Sequence, residues 1–107
     1  MTSKKTPAEK RASFPKRSDY VKPFLKDWTR TRLSRSGRYD MRRLKEVMLL
    51  LIANEGPLGP EWSDHPLHGE WEGCRECQIG GDFLMIYRSE EEQVIFMRAG
   101  THNELFE

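Results

Sequence analysis

Apolar residues recur at helical spacing in the first half of this chain. Tyr20, Phe24 and Trp28 follow one another at intervals of four, with Lys and Arg between them, and this pattern predicts an amphipathic helix. Proline is comfortable only in the first turn of a helix, so Pro23 indicates a helix that begins near Lys22.

A second helix is predicted to begin after Asp40, which is a good N-cap residue. Gly56 and Pro57 supply the stop signals that end it near Asn54. One face of this helix is apolar and consists of Met41, Leu44, Val47, Met48 and Leu51. Such a stripe is typical of a helix that packs on a core, not of a cofactor site.

The second half predicts three strands, at residues 70–79, 82–88 and 93–99. Gly80-Gly81 favours a tight hairpin between the first two strands, because glycine accepts positive φ angles. The preceding residues 57–66 predict a loop that is long for a compact domain. A loop of this kind is a candidate functional segment.

The predicted fold class is α+β, with two helices packed on one face of an antiparallel β-sheet of three to four strands. A short N-terminal strand is expected at residues 11–14. The chain has 107 residues, which suits one domain, and we assign that domain to residues 10–107. Residues 1–9 are polar and basic and lack apolar periodicity, which predicts a disordered arm.

Two features of composition favour a cytoplasmic protein. No apolar run approaches the length of a membrane span, and the N-terminus lacks the apolar segment of a secretory signal. The two cysteines, Cys74 and Cys77, are therefore expected to be reduced thiols. A zinc site at Cys74 and Cys77 has little support, because it would need two further ligands and no second C-x-x-C motif is present.

The net charge of +1 hides a division along the chain. Residues 1–46 carry 15 Lys and Arg against 5 Asp and Glu, whereas residues 47–107 carry 3 against 12. A basic half of this kind indicates a surface for phosphate backbones, although it also suits a solvated helical face.

The second half also concentrates polar residues at strand ends and turns, where a rigid sheet presents them to a ligand. The chain reads D-H-P-L-x-G-x-W-x-G-x-R, then G-D-F-L-x-I-Y, then R-x-G-T-H-x-x-L-F between Asp64 and Phe106. This order resembles the YafQ branch of the RelE/ParE toxins, which are small ribonucleases of bacterial type II toxin–antitoxin systems. The resemblance is close over residues 64–106 and extends to residues 10–54 only in layout.

The resemblance implies a compact RelE-like fold and an endoribonuclease that cleaves mRNA on the 70S ribosome without a metal or another cofactor. The implied partners are a cognate antitoxin, the mRNA and the ribosome, with operator DNA reached only through the antitoxin and no membrane. Attack by the ribose 2′-OH requires a base, an acid and a cation beside the phosphate. The family motifs imply His65 and His102 as the acid and base and Arg98 as the phosphate-binding cation. They also imply Asp82 as a catalytic helper that orients a histidine or the 2′-OH, and Phe106 as a ring that stacks on or positions a base.

Four further residues are expected to bind substrate, namely Gln78, Phe83, Arg42 and Arg43. Gln78 stands where the family commonly has a histidine, and an amide cannot exchange a proton near neutral pH. Phe83 replaces the family's tryptophan and loses the indole donor. The alternative function is therefore a catalytically weakened RelE-fold binding protein that acts through antitoxin, DNA or RNA.

Structural roles compete with several of these assignments. Arg98 can pair with a carboxylate instead of a phosphate, and Phe106 can simply close the core. A lone loop histidine is more often a bystander than a catalyst, and His68 matches no family position. Asp64 is expected to be a turn former.

Overall fold

Three helices and five strands occupy residues 14–107, the part of the chain that the computed structural model describes. The strands are β1 (Arg17–Tyr20), β2 (His65–Pro66), β3 (Arg75–Gly80), β4 (Phe83–Ser89) and β5 (Gln93–Thr101). The helices are α1 (Lys22–Leu33), α2 (Met41–Ala53) and α3 (His102–Phe106). Short 3₁₀ turns lie at Pro60–Trp62 and Gly69–Trp71.

The strands form one mixed sheet in the order β1-β5-β4-β3-β2. β1 pairs with β5 in parallel, and the other neighbours are antiparallel. The α+β class is confirmed, and the sheet has five strands, one more than the upper expected number. The additional pairing comes from β2, which has only two residues and is defined by its contact with β3.

Both long helices form where their local signals predict them. α1 has Pro23 in its first turn, and α2 is capped by Asp40, whose side chain accepts a hydrogen bond of 3.0 Å from the Arg43 backbone N–H. α2 ends at Asn54, which adopts the left-handed conformation with φ 57°. Asparagine is one of the few residues other than glycine that reach this conformation at low cost.

The main core lies between α1, α2 and one face of the sheet. It includes Phe24 and Leu44 from the helices, Met85 from β4 and Phe96 from β5, all nearly or fully buried. A smaller cluster on the opposite face joins Leu84 and Ile86 of β4 to Leu105 of α3. α3 therefore covers the sheet face that the two long helices leave open.

Several predicted boundaries differ from the observed ones. Residues 11–13 of the expected first strand and the expected arm at residues 1–9 lie outside the described residues, and Phe14 precedes β1. β1 escapes sequence prediction because all four of its residues are exposed and show no alternation. The strand predicted at residues 70–79 begins only at Arg75, because Gly69–Trp71 forms a 3₁₀ turn and Gly73 takes φ 90°.

None of the helices within residues 14–107 combines the length and the apolar character that a membrane crossing requires.

Candidate active site

His65 lies in β2 and faces the carboxylate of Glu76 on β3. The two residues are directly paired across the strands, and His65 Nε2 lies 3.2 Å from Glu76 Oε1. On the other side of the ring, Nδ1 lies 2.8 Å from the carbonyl oxygen of Ser63. A carbonyl only accepts, so the proton of that pair belongs to Nδ1, and Nε2 is the nitrogen that faces the Glu76 carboxylate. The ring is about half exposed, with 52 % of its side-chain surface accessible.

Glu76 is largely buried, and sequence analysis did not identify it. Its residue exposure is 8 %, so its carboxylate is placed to accept a hydrogen bond from Nε2–H when His65 is protonated. Glu76 is directly paired with Ile86, which belongs to the cluster beneath α3. The His65–Glu76 pair therefore lies on the same sheet face as α3.

α3 carries His102 and Phe106, whose ring centroids are 4.9 Å apart. The helix begins with a capping box: Glu104 N–H donates to Thr101 Oγ1 at 3.2 Å, and Thr101 N–H donates to Glu104 Oε1 at 2.8 Å. His102 is exposed, whereas Phe106 is partly buried against the cluster that contains Ile86 and Leu105. A short helix thus fixes an exposed imidazole next to an aromatic ring.

Glu104 also anchors α3 to the rest of the domain. Its Oε2 accepts hydrogen bonds from Arg30 Nη1 at 2.9 Å and from Tyr39 OH at 2.7 Å. Burial favours the protonated acid, but the hydrogen bonds from Tyr39 and the Thr101 backbone and the charge of Arg30 outweigh it and lower the pKa of Glu104. The carboxylate is therefore held in its charged form.

Arg98 lies in β5 at a β-bulge. Ile86 of β4 is opposite Arg98 and Tyr87 is opposite Phe96, so Met97 is the extra residue. The Arg98 guanidinium reaches α1, where Nε lies 2.7 Å and Nη2 lies 3.3 Å from the carboxylate oxygens of Asp27. Arg98 therefore makes a structural ion pair, the role that competes with phosphate binding in the sequence analysis. Its side chain remains 26 % exposed, and within residues 14–107 its Nη1 makes no described hydrogen bond.

The sheet register brings these groups to one region. His65, Glu76, Ile86 and Arg98 form a continuous row across four strands, and Thr101 at the end of β5 leads directly into α3. At about 4.8 Å per strand, the backbones of His65 and Arg98 lie roughly 15 Å apart. The region is therefore a shallow face with a histidine at one edge, an arginine at the other and His102 on the covering helix.

Comparison with known proteins identifies the family. The family model described as "Bacterial toxin of type II toxin-antitoxin system, YafQ" matches residues 16–107. This chain belongs to the YafQ toxin family. It is accordingly a toxin of the type II toxin–antitoxin class.

The YafQ relatives span nearly the whole domain. The mRNA interferase toxin YafQ of Escherichia coli strain K12 is 38% identical over 88 residues, which cover 82% of this chain and 92% of that protein. The crystal structure of YafQ from E. coli strain BL21(DE3) has a TM-score of 0.78 at 34% identity and covers 86% of this chain and 99% of that one. YafQ in the E. coli DinJ-YafQ toxin-antitoxin complex has a TM-score of 0.77 at 34% identity, with coverage of 88% and 100%.

Three residues of the predicted YafQ site cluster at the β3–β4 hairpin. Gln78 Nε2 donates to the carbonyl of Gly81 at 2.7 Å, so its amide helps to close the turn. Asp82 is exposed and makes no side-chain hydrogen bond or ion pair with any residue of the described range 14–107. Phe83 is fully buried and packs edge-on against Tyr39, with ring centroids 5.1 Å apart. The expectation that Phe83 contacts substrate therefore disagrees with its position in the core.

The two arginines expected to bind substrate occupy different settings. Arg43 Nε donates to the carbonyl of Ile79 at 2.7 Å, and its guanidinium lies 4.3 Å from the centre of the Trp62 ring. Trp62 belongs to the core on the helix side of the sheet, so Arg43 connects α2 to β3 instead of facing α3. Arg42 is exposed on α2.

Asp64 has a larger structural role than the expected turn. It accepts hydrogen bonds from Arg75 Nε at 3.1 Å and from the Tyr87 hydroxyl, and Arg75 Nη2 lies 3.0 Å away. Burial, followed by the hydrogen bond to Asp64, raises the pKa of Tyr87, which therefore stays protonated. These contacts fix the segment immediately before His65 to β3 and β4.

The cysteines are buried free thiols. Burial raises the pKa of Cys77 to about 12, so its thiol is protonated at neutral pH. Within residues 14–107, no three His, Cys, Asp or Glu side chains are grouped so that they could hold a metal ion.

Proposed function

We propose that this YafQ-family toxin is an endoribonuclease that cuts mRNA on the ribosome in the cytoplasm, without a metal ion, and is neutralised by a cognate antitoxin. The single observation that carries the proposal is the arrangement of His65 with Glu76 on the sheet face that α3 covers with His102 and Phe106. The name of the E. coli relative, an mRNA interferase, supports the activity, and its complex with DinJ supports an antitoxin partner.

In the proposed reaction, His65 Nε2 takes the proton of the ribose 2′-OH as the 2′-oxygen attacks the adjacent phosphorus. His65 suits this role because its Nδ1–H is held by Ser63 and Glu76 can stabilise the protonated ring. His102 donates a proton to the leaving 5′-oxygen. The products are a 2′,3′-cyclic phosphate and a 5′-hydroxyl.

The remaining predicted residues bind and orient the RNA. Arg98 offers Nη1 to the phosphate while Asp27 holds its other two nitrogens. Phe106 stacks on a base beside His102. Asp82 orients the 2′-OH, Gln78 donates or accepts a hydrogen bond at the phosphate or ribose, and Arg42 approaches the backbone. For Phe83 and Arg43 we propose only indirect roles, since Phe83 is buried in the core and Arg43 donates to the Ile79 carbonyl of β3.

Cleavage of defined RNA tests the proposal. The purified toxin should cut ribosome-bound mRNA and leave 2′,3′-cyclic phosphate ends, and the same RNA with a 2′-O-methyl group at the cleavage site should remain intact. In a ribosome-free reaction with a weakly cleaved RNA, EDTA should leave the rate unchanged. Products with a 3′-hydroxyl, or activity restored by one added metal ion after EDTA, would contradict the mechanism.

A binding protein without efficient catalysis is the second candidate, and Gln78 is the observation that favours it. This side chain cannot transfer a proton, and its amide is already engaged with Gly81. Under this alternative the toxin binds its antitoxin tightly but cuts no RNA on or off the ribosome. The same cleavage assay, paired with titration of the antitoxin, separates the two functions.

A further inference from the structure

Asp27 is a buried acid that no sequence motif marks. It lies in the middle of α1, on the core-facing side that also carries Phe24 and Thr31, and only 4 % of its surface is exposed. A buried carboxylate is costly unless charged or polar groups surround it. The groups that surround Asp27 all belong to, or lead towards, the candidate active site.

Four hydrogen bonds converge on the Asp27 carboxylate. Oδ2 accepts from Arg98 Nε at 2.7 Å and from the Ala99 backbone N–H at 2.9 Å. Oδ1 accepts from Arg30 Nη2 at 3.1 Å and from Arg98 Nη2 at 3.3 Å. This number of donors satisfies a carboxylate fully, so Asp27 determines where the Arg98 guanidinium lies.

Contacts from α1 also satisfy backbone hydrogen-bonding groups of β5. β1 ends at Tyr20, opposite Phe96, so among residues 14–107 the part of β5 beyond Phe96 has no strand neighbour on that side. The Ala99 N–H donates to Asp27, and the Ala99 carbonyl accepts from Arg30 Nη2 at 3.2 Å. Two side chains of α1 thus satisfy the exposed edge of β5 at the point where the chain turns into α3.

Arg30 extends the connection to α3. Its Nη2 binds Asp27, and its Nη1 lies 2.9 Å from Glu104 Oε2 in the capping box of α3. Tyr39 OH donates to the same oxygen of Glu104. One chain of side chains, Asp27–Arg30–Glu104, therefore joins the Arg98 guanidinium to the helix that carries His102.

We propose that Asp27, Arg30 and Glu104 are positioning residues that hold Arg98 and His102 in the relative geometry that RNA cleavage requires. None of the three touches the RNA. This role rests on the proposed function. It explains why Arg98, which the family motif matches to a phosphate-binding arginine, uses two of its nitrogens to bind a buried carboxylate. A fixed guanidinium loses less freedom when it meets a phosphate than a mobile one.

Asp27→Asn tests the proposal, because it keeps the shape of the side chain but turns one acceptor oxygen into a donor. If Oδ2 becomes the amide nitrogen, Arg98 Nε–H and Ala99 N–H lose their acceptor, and if Oδ1 does, Arg30 Nη2–H and Arg98 Nη2–H lose theirs. Arg98 therefore loses a hydrogen bond in either orientation. We expect kcat to fall by about 10²-fold, as for other small misplacements of reacting groups, with a much smaller change in KM. In the Asp27→Asn background, His102→Ala should cost less than it does in the wild-type protein, since coupled residues are not additive.

Asp40→Ala is the matched control. It removes another helix-associated carboxylate, the N-cap of α2, which accepts from the Arg43 N–H and makes no described hydrogen bond or ion pair with Arg98 or Glu104 within residues 14–107. It should lower stability without lowering kcat under conditions in which the variant remains folded. Equal losses of kcat in the two variants would show that Asp27 acts only through stability and would overturn the proposal.

A second variant and a direct measurement keep the test independent of both folding and activity. Glu104→Gln keeps a side chain that can form the capping box, so we expect this variant to fold. It serves as the test if Asp27→Asn does not fold. Nuclear magnetic resonance should show protected Arg98 guanidinium N–H groups, at Nε and Nη2, in the wild type, and at least one of them should lose protection in Asp27→Asn. Glu104→Gln should shift the His102 ring signals. If the wild type cuts no RNA, the proposed function fails while these signals still decide the positioning role. Unchanged signals in the folded variants would overturn the positioning role.

Discussion

Two of the three histidines, His65 and His102, differ in what holds them. His65 is fixed at both nitrogens, by the Ser63 carbonyl and the Glu76 carboxylate. The ring of His102 has no such pair of described partners within residues 14–107; it stacks on Phe106 at the start of α3. A ring whose Nδ1–H is held, and whose protonated form a carboxylate stabilises, suits the base, and a more accessible ring suits an acid that must follow a leaving oxygen.

His102→Ala should lower cleavage by the 10²–10⁴-fold typical of a general acid or base, with little change in stability because the side chain is exposed. His68→Ala is the control, since His68 is 79 % exposed in its side chain and only approaches Glu72. Rates of product formation and urea unfolding of both variants provide the measurement. A folded His102→Ala protein with the cleavage rate of His68→Ala would exclude His102 from catalysis.

Residue types and motif order led to the exposed candidates, but not to the groups that position them. Glu76 and Asp27 are acidic side chains within a strand and a helix, and their partners His65 and Arg98 lie 11 and 71 residues away. Such pairs depend on strand register and helix packing, which spacing along the chain does not specify. Asp27 did leave one signal, because it is a charged residue at a helical position shared with Phe24 and Thr31.

At the scale of elements, local signals predicted the two long helices, α1 and α2, and missed the short elements β2 and α3. α1 and α2 have apolar periodicity and caps of their own, so their ends lie where the sequence indicates. β2 has two residues and exists only through its pairing with β3. α3 was missed although Thr101 and Glu104 form the T-x-x-E pattern of a capping box, which is the signal that could have identified it.

Asp64, directly before His65, is bound to β4 through a hydrogen bond from the Tyr87 hydroxyl. Tyr87→Phe removes the hydroxyl that donates to Asp64 and leaves Arg75 as the remaining partner of that carboxylate. Since hydrogen bonds to charged groups contribute about 1.5–3 kcal/mol, the free energy of unfolding should fall by a similar amount. Urea denaturation measures this change.

Tyr20→Phe removes the same atom from a tyrosine that is 54 % exposed, and it should change the free energy of unfolding by less than about 0.5 kcal/mol. A fall of equal size in both variants would mean that the Tyr87–Asp64 contact contributes nothing specific. A fall confined to Tyr87→Phe would identify this contact as the support of the loop before His65.

At the scale of the whole molecule, opposite charges separate between the two halves of the chain. β1, α1 and most of the basic residues belong to residues 1–46, whereas β3, β4, β5 and α3 lie in the half with 3 Lys and Arg against 12 Asp and Glu. The candidate active site is thus built on the acidic part of the domain, which repels a phosphate backbone. RNA binding therefore needs the basic side chains outside the site, or the ribosome, to hold the substrate.

Exposed arginines around the start of α2 should supply part of this attraction. Arg35 and Arg42 are both exposed, and neither makes an ion pair with another residue in the described range 14–107. With an uncleavable 2′-O-methyl RNA, Arg35→Gln combined with Arg42→Gln should weaken binding and reduce the slope of log K against log salt by about 1.4, or roughly 0.7 for each lost phosphate contact. Titrations at several salt concentrations provide both quantities.

Glu91→Gln combined with Glu92→Gln is the control, because it changes net charge by the same amount in the opposite direction at the exposed β4–β5 turn. If phosphate contacts near α2 determine binding, this control should leave the salt slope unchanged. If only net charge matters, the two double variants should shift affinity by similar amounts in opposite directions. Unchanged binding in Arg35→Gln/Arg42→Gln would mean that the basic half serves solubility, and that the ribosome alone must hold the mRNA over the acidic face.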